Sequence, residues 1–287
     1  MTRSYWLDRR SLPMRLWRKA ASSVWSVDNI DFRRDRDDWL ALPDQCRTCV
    51  RRVCSLFQIG ERAVTVHLLP LLHVAASEGR LEEEMFLTSF LWDEARHVDL
   101  FDRFFREVDL GSCDPTENSY PDYQRIVDQE LESTLTRLYA DRSPEAQVRA
   151  VVTYNLVIEG IMAETGYYVC RRVLADSRIL PGMQQAIGLL ARDESRHIAF
   201  GVHLLRRLIA EHGNPAYKAF LHRMKELKPL VEASTDEFVR LMRGEDGFAI
   251  SRDELFRYSQ QRFACRVRRI VKARGETPRD SHTDQIA

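Results

Sequence analysis

From Pro43 onward, apolar residues recur at spacings of three and four with polar residues between them, the period of a helix with one buried face. The pattern predicts helices over 43 to 77, 80 to 109, 119 to 141, 144 to 174, 179 to 212, 215 to 243 and 252 to 273. Stop chemistry separates them at Glu78-Gly79, Asp109 to Pro115, Asp141 to Pro144, Pro181-Gly182 and Gly213 to Pro215. Several of these stretches exceed the usual helix length, as bundle helices do. Pro70 falls inside the first. Its ring removes a backbone donor and collides with the preceding turn, so a kink is expected a few turns beyond Glu61. Residues 1 to 40 are rich in Arg and Trp and only weakly periodic. They are expected to form an extended or short-helical arm on the body, anchored by Trp6, Trp17, Trp25, Phe32 and Trp39. The expected organisation is thus an arm (1-40), one helical domain (41-275) and a disordered polar tail (276-287).

Within these helices, Asp93-Glu94-Ala95-Arg96-His97 and Asp193-Glu194-Ser195-Arg196-His197 repeat one pattern. Glu and His at i and i+3 share a helical face, so each motif can offer a carboxylate oxygen and an imidazole nitrogen to one point. Phe86, Phe90, Phe101 and Phe105 flank the first motif, and Leu190, Ala191 and Phe200 the second, which places both indoors. Glu61 and Glu159 lie in equally apolar surroundings. A buried carboxylate without a partner costs several kcal/mol. The order Glu, Glu-x-x-His, Glu, Glu-x-x-His, one group per long helix, is the ligand set of dimetal carboxylate bundles. Two divalent cations would cancel the four carboxylates, and oxygen ligands with one imidazole per metal suit iron or manganese. The expected metal ligands are Glu61, Glu94, His97, Glu159, Glu194 and His197, in an all-α, ferritin-like four-helix bundle core with additional helices. Asp93 and Asp193 are candidate acceptors for the second ring nitrogen of each histidine, across the pseudo-twofold. Arg96 and Arg196 read as structural ion-pair partners, and His67 and His73 as histidines outside the ligand set.

Composition narrows the partners. With 43 basic and 43 acidic side chains the formal net charge is zero, so no global field draws the chain to nucleic acid or an anionic membrane. There is no run of ~18 apolar residues and no signal-peptide core, which makes the cytoplasm the expected location. The six cysteines read as reduced thiols. Cys46 and Cys49 form a CxxC pair next to Cys54, but no second pair follows at zinc-ribbon spacing.

On these motifs the chain resembles the ribonucleotide-reductase-small-subunit-like ligand-binding oxidases. The likeness extends to Leu12-Pro13-Met14-Arg15-Leu16-Trp17, to Asn29-Ile30-Asp31-Phe32 and to Gly60-Glu61-Arg62-Ala63-Val64, covering about 12 to 245. It implies a manganese and iron pair, or two irons, that activates dioxygen. It also implies a long-chain fatty acid whose carboxylate reaches the metals, a homodimer, and an ether bond between the Cβ of Val64 and the oxygen of Tyr154. Val64 stands at i+3 from Glu61, on the metal-facing side. Tyr154 is five residues before Glu159, about 140° away on an ideal α-helix, so it must reach a neighbouring helix or be realigned by a π-type distortion.

Two other functions fit the same ligands. A reductase small subunit commonly has a radical tyrosine one turn after the first Glu-x-x-His, where this chain has Phe101, and needs a relay tyrosine in its tail, whereas Arg279 to Ala287 contains no aromatic. An iron-handling ferritin-like protein has less need of helices after residue 213.

Overall fold

The computed structural model describes residues 6–109, 120–242 and 251–272, and these form helices and connections with no strand among them. Of the extended and short-helical forms expected for residues 1–40, the described part, from residue 6, has the short-helical one. Leu12–Ser22 is an amphipathic helix (α1) that buries Leu12, Met14 and Leu16, and Arg33–Ala41 is a second (α2), with a 3-10 turn at Val27–Asn29 between them. Of the expected aromatic anchors, Phe32 and Trp39 are buried and Trp17 and Trp25 partly so, while Trp6 is 82% exposed.

Asp44–His67 (α3) stops where the Pro70 kink was expected. The chain restarts as Leu69–Ser77 (α4), with Pro70 in its first turn, where a missing N–H costs nothing. Leu81–Glu107 (α5) follows. The stretch predicted as 119 to 141 is described from Tyr120: Pro121–Gln124 (α6), a π-helix over Arg125–Glu130, Leu131–Thr136 (α7) and a closing 3-10 turn at Arg137–Tyr139. The stretch from residue 144 consists of Pro144–Val151 (α8), capped by the Ser143 hydroxyl, a 12-residue π-helix over Val152–Ala163, and Glu164–Ser177 (α9). Pro181–His212 (α10), Asn214–Met242 (α11) and Arg252–Lys272 (α12) complete the order. The expected tail, 276-287, lies outside the described residues.

The bundle core is ferritin-like: α3 packs along α5, and α10 along the rod made of α8, the long π-helix and α9. Two apolar clusters fill it, one around Phe86, Phe90, Tyr154 and Phe200, the other around Phe57, Phe101, Phe104 and Tyr167. The N-terminal helices act directly on α10. Asp35 on α2 is fully buried, and its carboxylate accepts from the backbone N–H groups of Gly182 and Met183, each at 2.7 Å, while Asp38 accepts from the N–H of Leu180 at 2.8 Å. The open end of the helix carrying the second motif is thus capped from a distant part of the chain. Gly182 is required there, because a Cβ would sit 2.6 Å from the carbonyl oxygen of Asp31. No described helix is long and apolar enough to cross a membrane. Cys46, Cys49, Cys54, Cys170 and Cys265 form no disulfide.

Candidate metal centre

The four long rods bring all six expected ligands to one place. Glu61 comes from α3, Glu94 and His97 from α5, Glu159 from the long π-helix, and Glu194 and His197 from α10; every one is buried. Their donor atoms form two overlapping sets within 4.8 Å: Glu61, Glu94, His97 and Glu194, and Glu94, Glu159, Glu194 and His197. Nδ1 of His97 lies 3.2 Å from Glu61 and 3.5 Å from Glu194, and Nδ1 of His197 lies 3.1 Å from Glu94 and 3.5 Å from Glu159. Glu94 and Glu194 belong to both sets, the position a bridging carboxylate occupies.

The other ring nitrogens face outward in mirrored fashion. Nε2 of His97 approaches Asp193 at 3.5 Å, and Nε2 of His197 approaches Asp93 at 3.3 Å. Arg96 and Arg196 each reach both aspartates, closing a buried four-residue ion network over the histidines. Trp25 adds its indole N–H to Asp193 at 2.7 Å, its ring lies under the Arg96 guanidinium at 4.8 Å, and its carbonyl accepts from Arg96 at 2.9 Å. On the inner side, the Tyr167 hydroxyl donates to Glu61 at 3.2 Å and Asn155 Nδ2 donates to Glu159 at 2.9 Å. The Phe90 ring stacks on His197 with centroids 3.6 Å apart.

Electrostatically the cluster is incomplete by itself. Both oxygens of Glu94, one of Glu159 and one of Glu194 make no hydrogen bond although they are buried, and Nδ1 of His197 makes none although a Glu94 oxygen is 3.1 Å away. Burial, then the Glu194 charge, raises Glu94 well above the usual carboxylate range, and the same causes push Glu159 up to about 8. Burial also opposes the charged imidazoles, but Glu61 at His97 and Glu194 at His197 outweigh it and raise both. For Glu61 burial pulls upward and His97 more than offsets it, so its carboxyl is lowered. Without other cations, the cluster holds its charge down with protons. Two divalent cations would meet every orphaned oxygen and cancel the four carboxylates, so these residues fit a metal pair.

The long π-helix resolves the awkward spacing of Tyr154 and Glu159. In i→i+5 winding a hydrogen bond joins residues five apart, so Tyr154 and Glu159 fall on nearly one face. The Tyr154 ring is fully buried, 5.5 Å from Phe90, and its hydroxyl has no hydrogen-bond partner. Burial, then the Glu94 and Glu159 charges, raises its pKa well above that of a free phenol. Val64 shares its core cluster and lines a cavity with Glu61, Glu94, Glu159 and Glu194. That cavity encloses about 820 Å³ counting its mouth, and its remaining walls include Leu56, Phe57, Ile158, Met162 and Phe238.

The family model of the ribonucleotide reductase small chain matches residues 13–261. The chain belongs to that family. Within it, the structure is similar to R2-like ligand-binding oxidase with aerobically reconstituted Mn/Fe cofactor, at 35% identity over 92% of this chain and 94% of that one, with a TM-score of 0.87. A point variant of R2-like ligand-binding oxidase, also with aerobically reconstituted Mn/Fe cofactor, gives 34% identity, 92% and 95% coverage and a TM-score of 0.88. An anaerobically reconstituted variant gives 35%, 92% and 95%, and 0.86. The chain is therefore a ribonucleotide-reductase-small-subunit-like ligand-binding oxidase, an oxidoreductase of the dimetal type.

Sequence reasoning identified Trp25 only as an anchor and did not single out Tyr167 or Asn155. Asn155 had a signal, since i−4 from Glu159 is a neighbouring position on a helix. Tyr167 acts on Glu61 from α9 and Trp25 from the connection between α1 and the 3-10 turn, and neither carries one.

Proposed function

We propose that Glu61, Glu94 and His97 hold one metal and Glu159, Glu194 and His197 the other, with Glu94 and Glu194 bridging. The observation that carries this assignment is the set of orphaned carboxylate oxygens facing the two imidazoles. The pair is manganese with iron, or two irons, as suits carboxylate and imidazole donors and the Mn/Fe cofactor of the similar oxidases. Bound there, the metals supply dioxygen activation, a two-electron oxidising capacity in a water-poor site. Asp93 and Asp193 orient the imidazoles, Tyr167 and Asn155 orient the outer carboxylates, and Phe90 keeps water from His197.

Val64 and Tyr154 are the residues that spend this capacity. The Cβ–H bond of Val64 and the O–H bond of Tyr154 break, a Cβ–O ether forms, and two protons and two electrons pass to dioxygen. Tyr154 suits the role because its phenol is dry, protonated and without a competing hydrogen bond. The cavity at Val64 takes a long-chain fatty acid, carboxylate toward the metals and acyl chain along Leu56, Phe57 and Met162. The protein is proposed to act as a cytoplasmic homodimer.

Aerobic reconstitution, trypsin digestion and mass spectrometry test the oxidase chemistry. The peptides containing Val64 and Tyr154 are expected to run as one species about two mass units below their sum, the two hydrogens lost to the ether. Tyr154→Phe is expected to keep the metals and lose the link. Separate peptides of unmodified mass after aerobic reconstitution would move the radical-generating small subunit ahead. Native extraction should release the fatty acid; no lipid, with water filling the cavity, would remove that assignment.

A further inference from the structure

A second cavity reaches the centre from another side. It is a cleft of about 1150 Å³ counting its open mouth, between α9, α10 and α12, and Glu194 and Tyr167 are among its lining residues. Through Glu194, and through the Tyr167 hydroxyl on Glu61, the cleft is one side chain from the metal-facing carboxylates. With an acyl chain in the apolar cavity, it is a route by which another molecule can come next to the centre.

The walls of this cleft differ in chemistry from the apolar cavity. Tyr168 and Tyr258 stack with centroids 4.2 Å apart, the Arg262 guanidinium lies 4.9 Å over the Tyr258 ring, and Arg171, Arg172 and Arg192 line the same space. Arg172 is engaged by Glu254, and Arg192 donates to the Ser23 carbonyl at 2.7 Å. Arg171 is exposed and has no carboxylate partner among the described residues. Of the two acids in the lining, Glu164 is already paired with Arg262 and Arg266, and Glu194 belongs to the dimetal cluster. Arg171 is thus the lining cation left without a carboxylate, in an aromatic-walled cleft that ends at Glu194.

We propose that this cleft binds a small aromatic carboxylate, the external substrate or reductant presented to the dimetal centre. Guanidinium groups recognise a carboxylate by a forked pair of hydrogen bonds, and both tyrosine faces and guanidinium planes accept a flat ring. Presentation of the anion to the dimetal centre rests on the dimetal reading, whereas binding itself does not.

Calorimetric titration of the full-length, metal-loaded protein with 4-hydroxybenzoate tests this, with neutral 4-hydroxybenzyl alcohol as control. The acid is expected to saturate one site at least about tenfold more tightly than the alcohol and to weaken with added salt. Arg171→Glu is expected to lower affinity about tenfold while leaving metal content and thermal unfolding unchanged, and Tyr168→Leu to weaken binding of the ring. Equal affinity for acid and alcohol, or binding indifferent to Arg171→Glu, overturns the proposal. Metal-free protein is expected to bind the acid saturably as well. If the chain binds no metal yet retains acid binding sensitive to Arg171, the cleft stands and the dimetal assignment falls.

Discussion

His97 and Asp193 face each other from different helices, Nε2 to Oδ2 at 3.5 Å, and His197 and Asp93 repeat the contact at 3.3 Å. Each motif therefore orients the imidazole of the other, with Arg96 and Arg196 binding both aspartates. Asp193→Ala is expected to lower metal affinity by roughly 10- to 100-fold although no proposed ligand is changed. It also leaves Arg96 and Arg196 one buried partner short, so the apo-protein should melt earlier. Metal content and affinity of the folded variant decide it; stoichiometric binding at unchanged affinity would show that the imidazoles need no such support.

Asp35 and the start of α10 form the second long-range link. The carboxylate accepts two backbone N–H groups at a helix N-terminus, with no solvent to replace it. Asp35→Ala is expected to cost about 2 kcal/mol, the upper end for lost caps, or roughly 4–8 °C in Tm for a chain of this size. Differential scanning calorimetry with metals removed isolates this from any change in metal affinity. An unchanged Tm would mean that water caps α10 equally well.

Much of this fold was legible because the long rods obey one period and their breaks carry Gly and Pro. The break before Leu69 was marked by Pro70, and the two Asp-Glu-x-Arg-His motifs announce themselves by repetition. The spacing of Tyr154 and Glu159 was informative through its failure to fit an α-helix, and the π-helix is the physical answer to that misfit. The helices α1 and α2 were less visible: α2 has only Trp39 and Asp35 buried, and Asp35 gains its meaning from an α10 terminus some 147 residues away. Trp25 and Tyr167 were hidden for the same reason, since a hydrogen bond across the bundle leaves no periodic trace in the chain.

Gly201 and Asn155 set the separation between α10 and the long π-helix. A Cβ on Gly201 would lie 2.2 Å from that of Asn155, whose amide donates to Glu159. Gly201→Ala is expected to destabilise the protein by about 1–3 kcal/mol through overpacking and to loosen the second metal of the pair. Gly188→Ala, on the same helix with open space around its Cβ, is the control. It should be neutral or stabilising by up to about 1 kcal/mol, from helix propensity. Similar effects of the two substitutions would rule out the steric explanation.

Metal-free protein should lose stability as pH rises through neutrality. Glu159 titrates at about 8 in the folded cluster and Glu94 is also raised well above the usual range, both because of burial and the neighbouring Glu194 charge, whereas a glutamate in the unfolded chain titrates near 4.5. Between those values the folded state binds protons that the unfolded state has released, so the unfolding free energy falls with increasing pH. His97 and His197 act in the same direction: their folded pKa values lie above 6.5, so the stability they contribute below that pH is lost as it rises. Glu61, lowered by His97, contributes stability that is lost only as pH falls below about 4.5, outside this interval. Divalent cations replace those protons, so metal loading near pH 7 is expected to release protons and to flatten the pH dependence. Thermal unfolding of chelator-treated and reconstituted protein between pH 5 and 8.5 provides one measurement, and proton release into weakly buffered indicator during metal addition the other. A metal-free Tm that rises with pH across this interval, or metal uptake without proton release, would show that the cluster is not holding protons in place of cations.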